Sequence, residues 1–459
     1  MALILPIGMG TVRFYVESLG CPKNLVDSQG IERRLRRLGH VAVTDPKKAQ
    51  VLIVNTCGFI QDARDESLGE LRNLARKKRA HQVLIAAGCL SQYWGDDLLT
   101  AVPGVDALLG TRRWHEIDRL VDELAPDAGA RGRATLAWLD DPAQESAEDP
   151  QTARQGASAY LKVADGCSAP CAFCAIPLIK GPARSRAADQ ILRDATNLVQ
   201  EGVKELVLIA QDTTTYGLDR GEQDALPGLV QAILKATPGG EVGHDGPGLH
   251  WLRLMYAYPG HISPRLIEVM ASDPRVCHYV DLPLQHAHPE TLRRMKRPAN
   301  MDRTRRLIVD LRAAMPDVAL RTAFIVGYPG ETEDEFQTLL DFVTDARFDR
   351  VGGFLYSPEE GTAAAALPDR VPEEVQVDRL ERLMALQQEI SFELNRAQVG
   401  RTMEILVEGQ GEGLSVGRSY RDAPEIDGLV LIGEEIPVGQ MVRARITGAM
   451  EYDLVGELL

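Results

Sequence analysis

Short apolar runs alternate with amphipathic helical segments along the first quarter of the chain. Strand-like runs are predicted at 12–16, 40–43, 51–55, 83–87 and 105–109. Between them, residues 24–38 place Leu25, Ile31, Leu35 and Leu38 on one side, and residues 60–78 read as a charged amphipathic helix. This alternation predicts a doubly wound α/β domain over 11–124, a parallel sheet with helices on its faces. The pattern breaks over 125–158, rich in Ala, Asp, Gly, Pro, Gln and Arg, and predicts a linker that Trp138 and Leu139 pin to a surface. From 159 to 394 six strand-like runs follow, at 160–164, 205–210, 251–255, 279–281, 319–326 and 350–355, most with a helical segment after them. Six βα units predict a partial (βα)6 barrel, open on one side, with its chemistry at the C-terminal strand ends. A long amphipathic helix over 372–398, with Val377, Leu380, Leu383, Met384 and Leu386 inward, leads out of it. Five short strands over 395–459, at 402–408, 413–420, 428–432, 441–447 and 454–458, predict a small antiparallel β-barrel.

The first barrel strand runs into Gly166-Cys167-Ser168-Ala169-Pro170-Cys171-Ala172-Phe173-Cys174, a C-x3-C-x2-C spacing. Iron–sulfur clusters are held by cysteine thiolates, and three ligands leave one iron of a 4Fe-4S cube open. A zinc site is the rival reading, but it more often pairs C-x2-C units and closes with a fourth ligand. Only 7 of 459 residues are cysteine, so three within eight positions are unlike three buried thiols scattered by chance. Cys21, Cys57 and Cys89 each follow an apolar strand of the first domain and each has a glycine neighbour. Ligands of open α/β sheets bind at the carboxyl ends of strands, so these thiols predict a second three-cysteine cluster. Any one of them alone would read as a small core residue. Cys277, before a strand, is expected to be packing.

Composition is that of a globular chain, with 44% hydrophobic and 25% charged residues, and no apolar run reaches membrane-spanning length. Residues 1–10 are apolar but lack a basic n-region, so a cytoplasmic protein without a secretory signal is expected. The odd, clustered cysteines favour metal ligation over a disulfide framework. The net charge of −15 lowers the expectation of a nucleic-acid substrate. The last domain carries six basic against eleven acidic residues, which favours a basic protein partner.

The cysteine loop, with Phe173 before its last cysteine, resembles the signature of radical S-adenosylmethionine (SAM) enzymes. Over nearly its whole length the chain resembles the radical SAM methylthiotransferases, which join a three-cysteine α/β domain, a partial barrel and a terminal TRAM barrel. Residues 18–28 (SLGCPKNLVDS), 281–287 (DLPLQHA) and 417–428 (GRSYRDAPEIDG) are similar to the branch that modifies an aspartate of ribosomal protein twelve of the small subunit. Gln29, where that branch is expected to carry Glu, departs from it.

The resemblance implies two 4Fe-4S clusters, on Cys167, Cys171 and Cys174 and on Cys21, Cys57 and Cys89. It also implies two SAM molecules, one cleaved to a radical and one giving a methyl group. An electron donor such as a flavodoxin or ferredoxin is implied as well. Gly327 and Glu331 fall on the loop that supports adenine in that family. Arg186, with Lys180 and Arg184, is expected near the carboxylate of SAM or of a substrate, and Gln211 completes the expected cofactor contacts. Each basic residue also reads as a solvated face, and His286 and His288 as structural. Two other functions stay open at this point: a tRNA adenosine methylthiotransferase, and a non-catalytic iron–sulfur redox protein.

Overall fold

The computed structural model describes residues 11–124, 135–139, 149–243 and 246–459. The apolar leader over 1–10, residues 125–134 and 140–148 of the linker, and 244–245 of a Gly-rich loop lie outside these. Two compact units divide the chain. One holds the described residues through Ala153 together with Ala175–Gly181, and the other holds Arg154–Cys174 with Pro182–Leu459.

In the first unit β1 (Arg13–Ser18), β2 (Val41–Ala42), β3 (Val51–Thr56), β4 (Val83–Gly88), β5 (Ala107–Gly110) and β6 (Leu136–Trp138) form one sheet. Its order is β2-β1-β3-β4-β5-β6, and every pairing is parallel. Successive side chains of a strand point to opposite faces. Ile53 and Ile85 accordingly join Phe14, Ile31 and Leu35 in one core, while Leu52, Val54 and Leu84 join Leu71 and Leu108 in the other. Burial on both faces explains why the central strands read as unbroken apolar runs. Residues 136–138, expected in the linker, are the sheet's edge strand, too short and too exposed to show a period.

Helix Pro22–Arg37 departs from its expected face. Leu38 is exposed at 41%, and the first two turns bury Asn24, Asp27 and Ser28 instead of Leu25. Those polar side chains serve the strand-end loops described below.

The second unit opens with β7 (Thr152–Gln155), β8 (Ser158–Lys162) and a short antiparallel ribbon of β9 (Ala164–Asp165) and β10 (Arg184–Ser185). Then come β11 (Glu205–Ile209), β12 (Trp251–Leu254), β13 (Tyr279–Asp281), β14 (Ala319–Val326) and β15 (Arg350–Leu355). Parallel pairing links β8, β11 and β12, and likewise β13, β14 and β15. Leu252 joins the two sheets through backbone bonds with Arg275 and Cys277. The result is the expected six-stranded arc, with β7 added on the outer side of β8. Cys277 is buried and its thiol is pushed up to about 12 by burial, as packing requires.

Helix Glu373–Arg396 follows, and its buried side is more polar than expected. Arg379, Gln387, Ser391 and Asn395 are buried with Leu383 and Ile390, whereas Val377 is exposed. Gln387 and Ser391 donate to the carbonyls of Phe348 and Asp349, and Asn395 to that of Met450. The helix thus satisfies loop carbonyls that a hydrophobic stripe would leave unpaired.

The last five strands are β16 (Thr402–Gly411), β17 (Leu414–Arg418), β18 (Val430–Ile432), β19 (Met441–Ala449) and β20 (Leu454–Leu458), closed as β16-β17-β18-β20-β19. One pairing, β18 with β20, is parallel.

This barrel is fixed to the N-terminal strand ends of the six-stranded arc. Arg418 donates to Glu205 at 2.5 Å, and Glu205 also takes Arg253 at 2.7 Å and Ser158 at 2.8 Å. Arg350 pairs with Asp422, Arg421 pairs with Asp349, and Tyr279 donates to Asp427. Residues 418–424 are buried or half-buried in this clamp. The 417–428 stretch is therefore largely structural, at the opposite strand ends from the cysteine loop.

Candidate active site

The C-terminal ends of the arc converge around the cysteine loop. Ala172 is held on both sides, its N–H donating to Met295 O and its carbonyl accepting from Ala364. Phe173 packs with Ala172, Met295, Tyr328 and Tyr356. All three thiols are half-buried. Burial raises the Cys167 thiol, and the Ala169 N–H at 3.4 Å and the Arg297 charge oppose that rise. Arg297 reaches Cys171 Sγ at 3.7 Å, donates to Pro283 O, and lies 4.1 Å from the ring centroid of Tyr258. Tyr258 is legible in the sequence at the end of the third barrel strand, whereas Arg297 is not. Nothing in the run Lys296-Arg297-Pro298 distinguishes this arginine from a solvated one.

Strand ends supply the rest. Asp165 accepts from the Gly166 N–H at 3.0 Å and from Gln211 Nε2 at 2.9 Å, and the buried Gln211 Oε1 has no hydrogen-bond partner among the described residues. After β12 and β13, Tyr256 (φ +61°) and Gln285 (φ +75°) hold left-handed backbone conformations. Such strain costs about 1–3 kcal/mol per residue and gathers at functional sites. Asp281 stabilises the first of these by accepting from the Tyr256 N–H.

Gly327 has φ +73°, and a Cβ there would lie 2.3 Å from Gln376. Glu331 is buried, bound to Arg379 at 2.9 Å and to the Tyr328 N–H, so it braces the turn between Gly327 and the helix Glu333–Ala346. Arg186 donates to Lys162 O and pairs with Asp194 at 2.7 Å, both side chains buried. His286 is buried, pushed down to about 3 chiefly by burial, and its Nδ1 accepts from the His288 N–H. A neutral ring in that bond carries its proton on Nε2. His288 caps the helix Pro289–Arg294.

A second cysteine set lies in the first unit, where the ends of β1, β3 and β4 carry Cys21, Cys57 and Cys89. Cys21 is the N-cap of helix Pro22–Arg37, and Cys89 opens helix Cys89–Trp94. Cys57 accepts from the backbone N–H groups of Gly58 and Phe59 against the raising effect of burial. Two glycines make the approach possible. A Cβ on Gly20 (φ +85°) would lie 2.8 Å from Cys57 Sγ, and one on Gly88 (φ +92°) 2.3 Å from Asn55 Oδ1. Asn24 donates to the carbonyls of Leu19 and Thr56, which turns its Oδ1 to Cys89 Sγ at 3.6 Å.

Lys180 belongs here too. Ala175 and Ile179 pack on Cys89, and the buried Lys180 Nζ lies 3.4 Å from Asp27. No three His, Cys, Asp or Glu side chains among the described residues close around a single ion. Cluster ligation by cysteine thiolates does not require three side chains on one metal ion. Strand-end loops, half-buried thiols, N–H donors to sulfur and an unpartnered amide oxygen fit cluster and cofactor binding at the arc. The glycine-lined cradle fits a cluster at the sheet edge.

Three family models match: the uncharacterized protein family UPF0004 over residues 13–110, the radical SAM superfamily over 161–343, and the TRAM domain over 399–459. The ribosomal protein uS12 methylthiotransferase RimO of Roseiflexus sp. (strain RS-1) is 49% identical, across 98% of this chain and 97% of that protein. The protein of the same name from Chloroflexus aurantiacus is 49% identical across 98% of this chain and 100% of its own length. The solved radical SAM methyltransferase TsrM of Kitasatospora setae, with cobalamin and a 4Fe-4S cluster bound, superposes with a TM-score of 0.52. It is 13% identical over 89% of this chain and 81% of that one, a likeness of fold alone. The alignments with these relatives run over nearly the whole chain, through the α/β unit, the cysteine loop on its six-stranded arc and the closed barrel. The chain belongs to the RimO family of radical SAM methylthiotransferases.

Proposed function

We propose that the protein methylthiolates the β-carbon of an aspartate in ribosomal protein uS12. The observation that carries this reading is the near-complete alignment, at 49% identity, with proteins named for that activity. Cys167, Cys171 and Cys174 would hold one 4Fe-4S cluster with its open iron toward SAM, and Cys21, Cys57 and Cys89 a second one. Bound there, the clusters and SAM supply the radical that takes hydrogen from an unactivated carbon, the sulfur that replaces it and the methyl group.

The chain's own residues bind and orient. Arg297 and the Ala169 N–H hold negative charge at Cys171 and Cys167. Gln211, fixed by Asp165, keeps one acceptor for a polar cofactor group. Gly327 exposes backbone that a side chain would cover, on a turn braced by Glu331. Arg186 is committed to Lys162 and Asp194, so in this reading it supports β10 and acts on the cofactor through that strand. A low-potential donor of the flavodoxin or ferredoxin class supplies electrons, and the acidic surface suits a basic ribosomal protein. A cytoplasmic location follows from that substrate, and no helix among the described residues is long and apolar enough to cross a membrane.

The test is anaerobic incubation of reconstituted protein with SAM, sulfide and reductant, offering uS12 and undermodified tRNA in separate tubes. Mass spectrometry should find a methylthio group on an aspartate of uS12. Modification of the tRNA alone would overturn the substrate.

A further inference from the structure

Lys180 follows the cysteine loop by six residues, yet its side chain is buried in the other unit. It forms an ion pair with Asp27 in which both side chains are at most 3% exposed. Asp27 stands one helical turn beyond Asn24, whose Oδ1 faces Cys89 Sγ, and Ile179 packs on Cys89 itself. Burying an ammonium costs several kcal/mol unless nearby negative charge offsets it. Asp27 supplies one such charge, and three thiolates around a cluster would supply more. Lys180 and Asp27 thus set opposite charges beside Ile179 and Asn24, which touch Cys89.

We propose that Lys180 is a positioning residue of the Cys21, Cys57 and Cys89 site, its ammonium setting how much negative charge the site holds, with Asp27 as the opposing weight. This rests on the proposed second cluster. The ammonium favours the reduced cluster and favours a hydrosulfide anion as guest on the open iron, and Asp27 disfavours both. Binding of hydrosulfide forms one iron–sulfur bond, displaces whatever neutral ligand stood there and transfers no electron.

The experiment is a reductive titration of the holoenzyme followed by electron paramagnetic resonance. Added SAM marks the signal of the Cys167, Cys171 and Cys174 cluster, which serves as the internal control. Lys180→Met should make the other cluster harder to reduce, about tenfold in the reduced-to-oxidised ratio at fixed potential, or about 59 mV for one electron. Asp27→Asn should shift it the other way, and Lys180→Arg should restore the wild-type value. Hydrosulfide titrated against the same signal should half-saturate at a roughly tenfold higher concentration in Lys180→Met. Unmoved potentials, or shifts of the same sign in Lys180→Met and Asp27→Asn, would overturn the inference while leaving two clusters in place. A change in SAM affinity alone would overturn it in favour of a SAM-carboxylate contact. Wild-type protein that assembles only one cluster would overturn the two-cluster reading and this inference together.

Discussion

Glu205 holds its charge at complete burial because two arginines meet it. Burial by itself would raise the carboxyl, and Arg418 and Arg253 pull it down to about 2. A carboxyl depressed from 4.5 contributes stability that is fully present above that value and is lost as the pH falls toward 2. Glu205→Gln should therefore cost about 3–5 kcal/mol at neutral pH, since it leaves two buried cations uncompensated. It should also flatten the loss of stability between pH 4.5 and 2, and urea unfolding across that range measures both. Near the cysteine loop, Arg297→Met removes a donor to Cys171 and a cation over Tyr258. SAM cleavage should fall about tenfold or more with the fold intact, read by deoxyadenosine yield beside a thermal melt. An unchanged yield would return Arg297 to a packing role. The six cysteines stand out in the sequence by spacing and strand position. Arg297 and Asp165 do not, and neither does the brace that Asp281 gives Tyr256, because a single charged side chain carries no period and gains its meaning only from a partner far away in sequence.

At the level of elements, the turn from Gly327 to Thr332 shows how local chemistry supports a site. Thr332 and Glu335 form a capping box at the start of helix Glu333–Ala346, and Glu335 also binds Arg294. Thr332→Ala should cost about 1 kcal/mol by loss of the cap, measurable by chemical denaturation. Gly327→Ala should do more harm, since it meets both a left-handed φ and Gln376, and weakened SAM binding by calorimetry would report it. The box could be read from the sequence as T-x-x-E. The polar inner faces of Pro22–Arg37 and Glu373–Arg396 could not. Periodicity registers apolar side chains, whereas Asn24, Gln387 and Ser391 are buried to satisfy backbone carbonyls and Ser28 to bond the side chains of Ser18 and Asn55. Leu38 and Val377 consequently stand exposed where an apolar count placed them inside.

Across the whole molecule, three architectures follow in chain order: a parallel sheet, a six-stranded arc and a closed barrel. The first two were legible because doubly buried strands run apolar and alternate with helices. Edge strand β6 was not, having one neighbour and three residues. The 417–428 stretch was legible as a family mark, but its place was not: Arg418, Arg421 and Asp422 tie the last barrel to the N-terminal ends of the arc. That leaves the opposite strand ends to the chemistry.

The central claim is that one chain carries two cysteine sets with divided work. The direct measurement gives deoxyadenosine and methylthio product side by side for Cys→Ala variants of each set under anaerobic turnover with uS12. Loss of Cys167, Cys171 or Cys174 should abolish both products. Loss of Cys21, Cys57 or Cys89 should abolish the methylthio product and spare SAM cleavage. Equal loss of both products in every variant, in protein shown to be folded, would contradict the division.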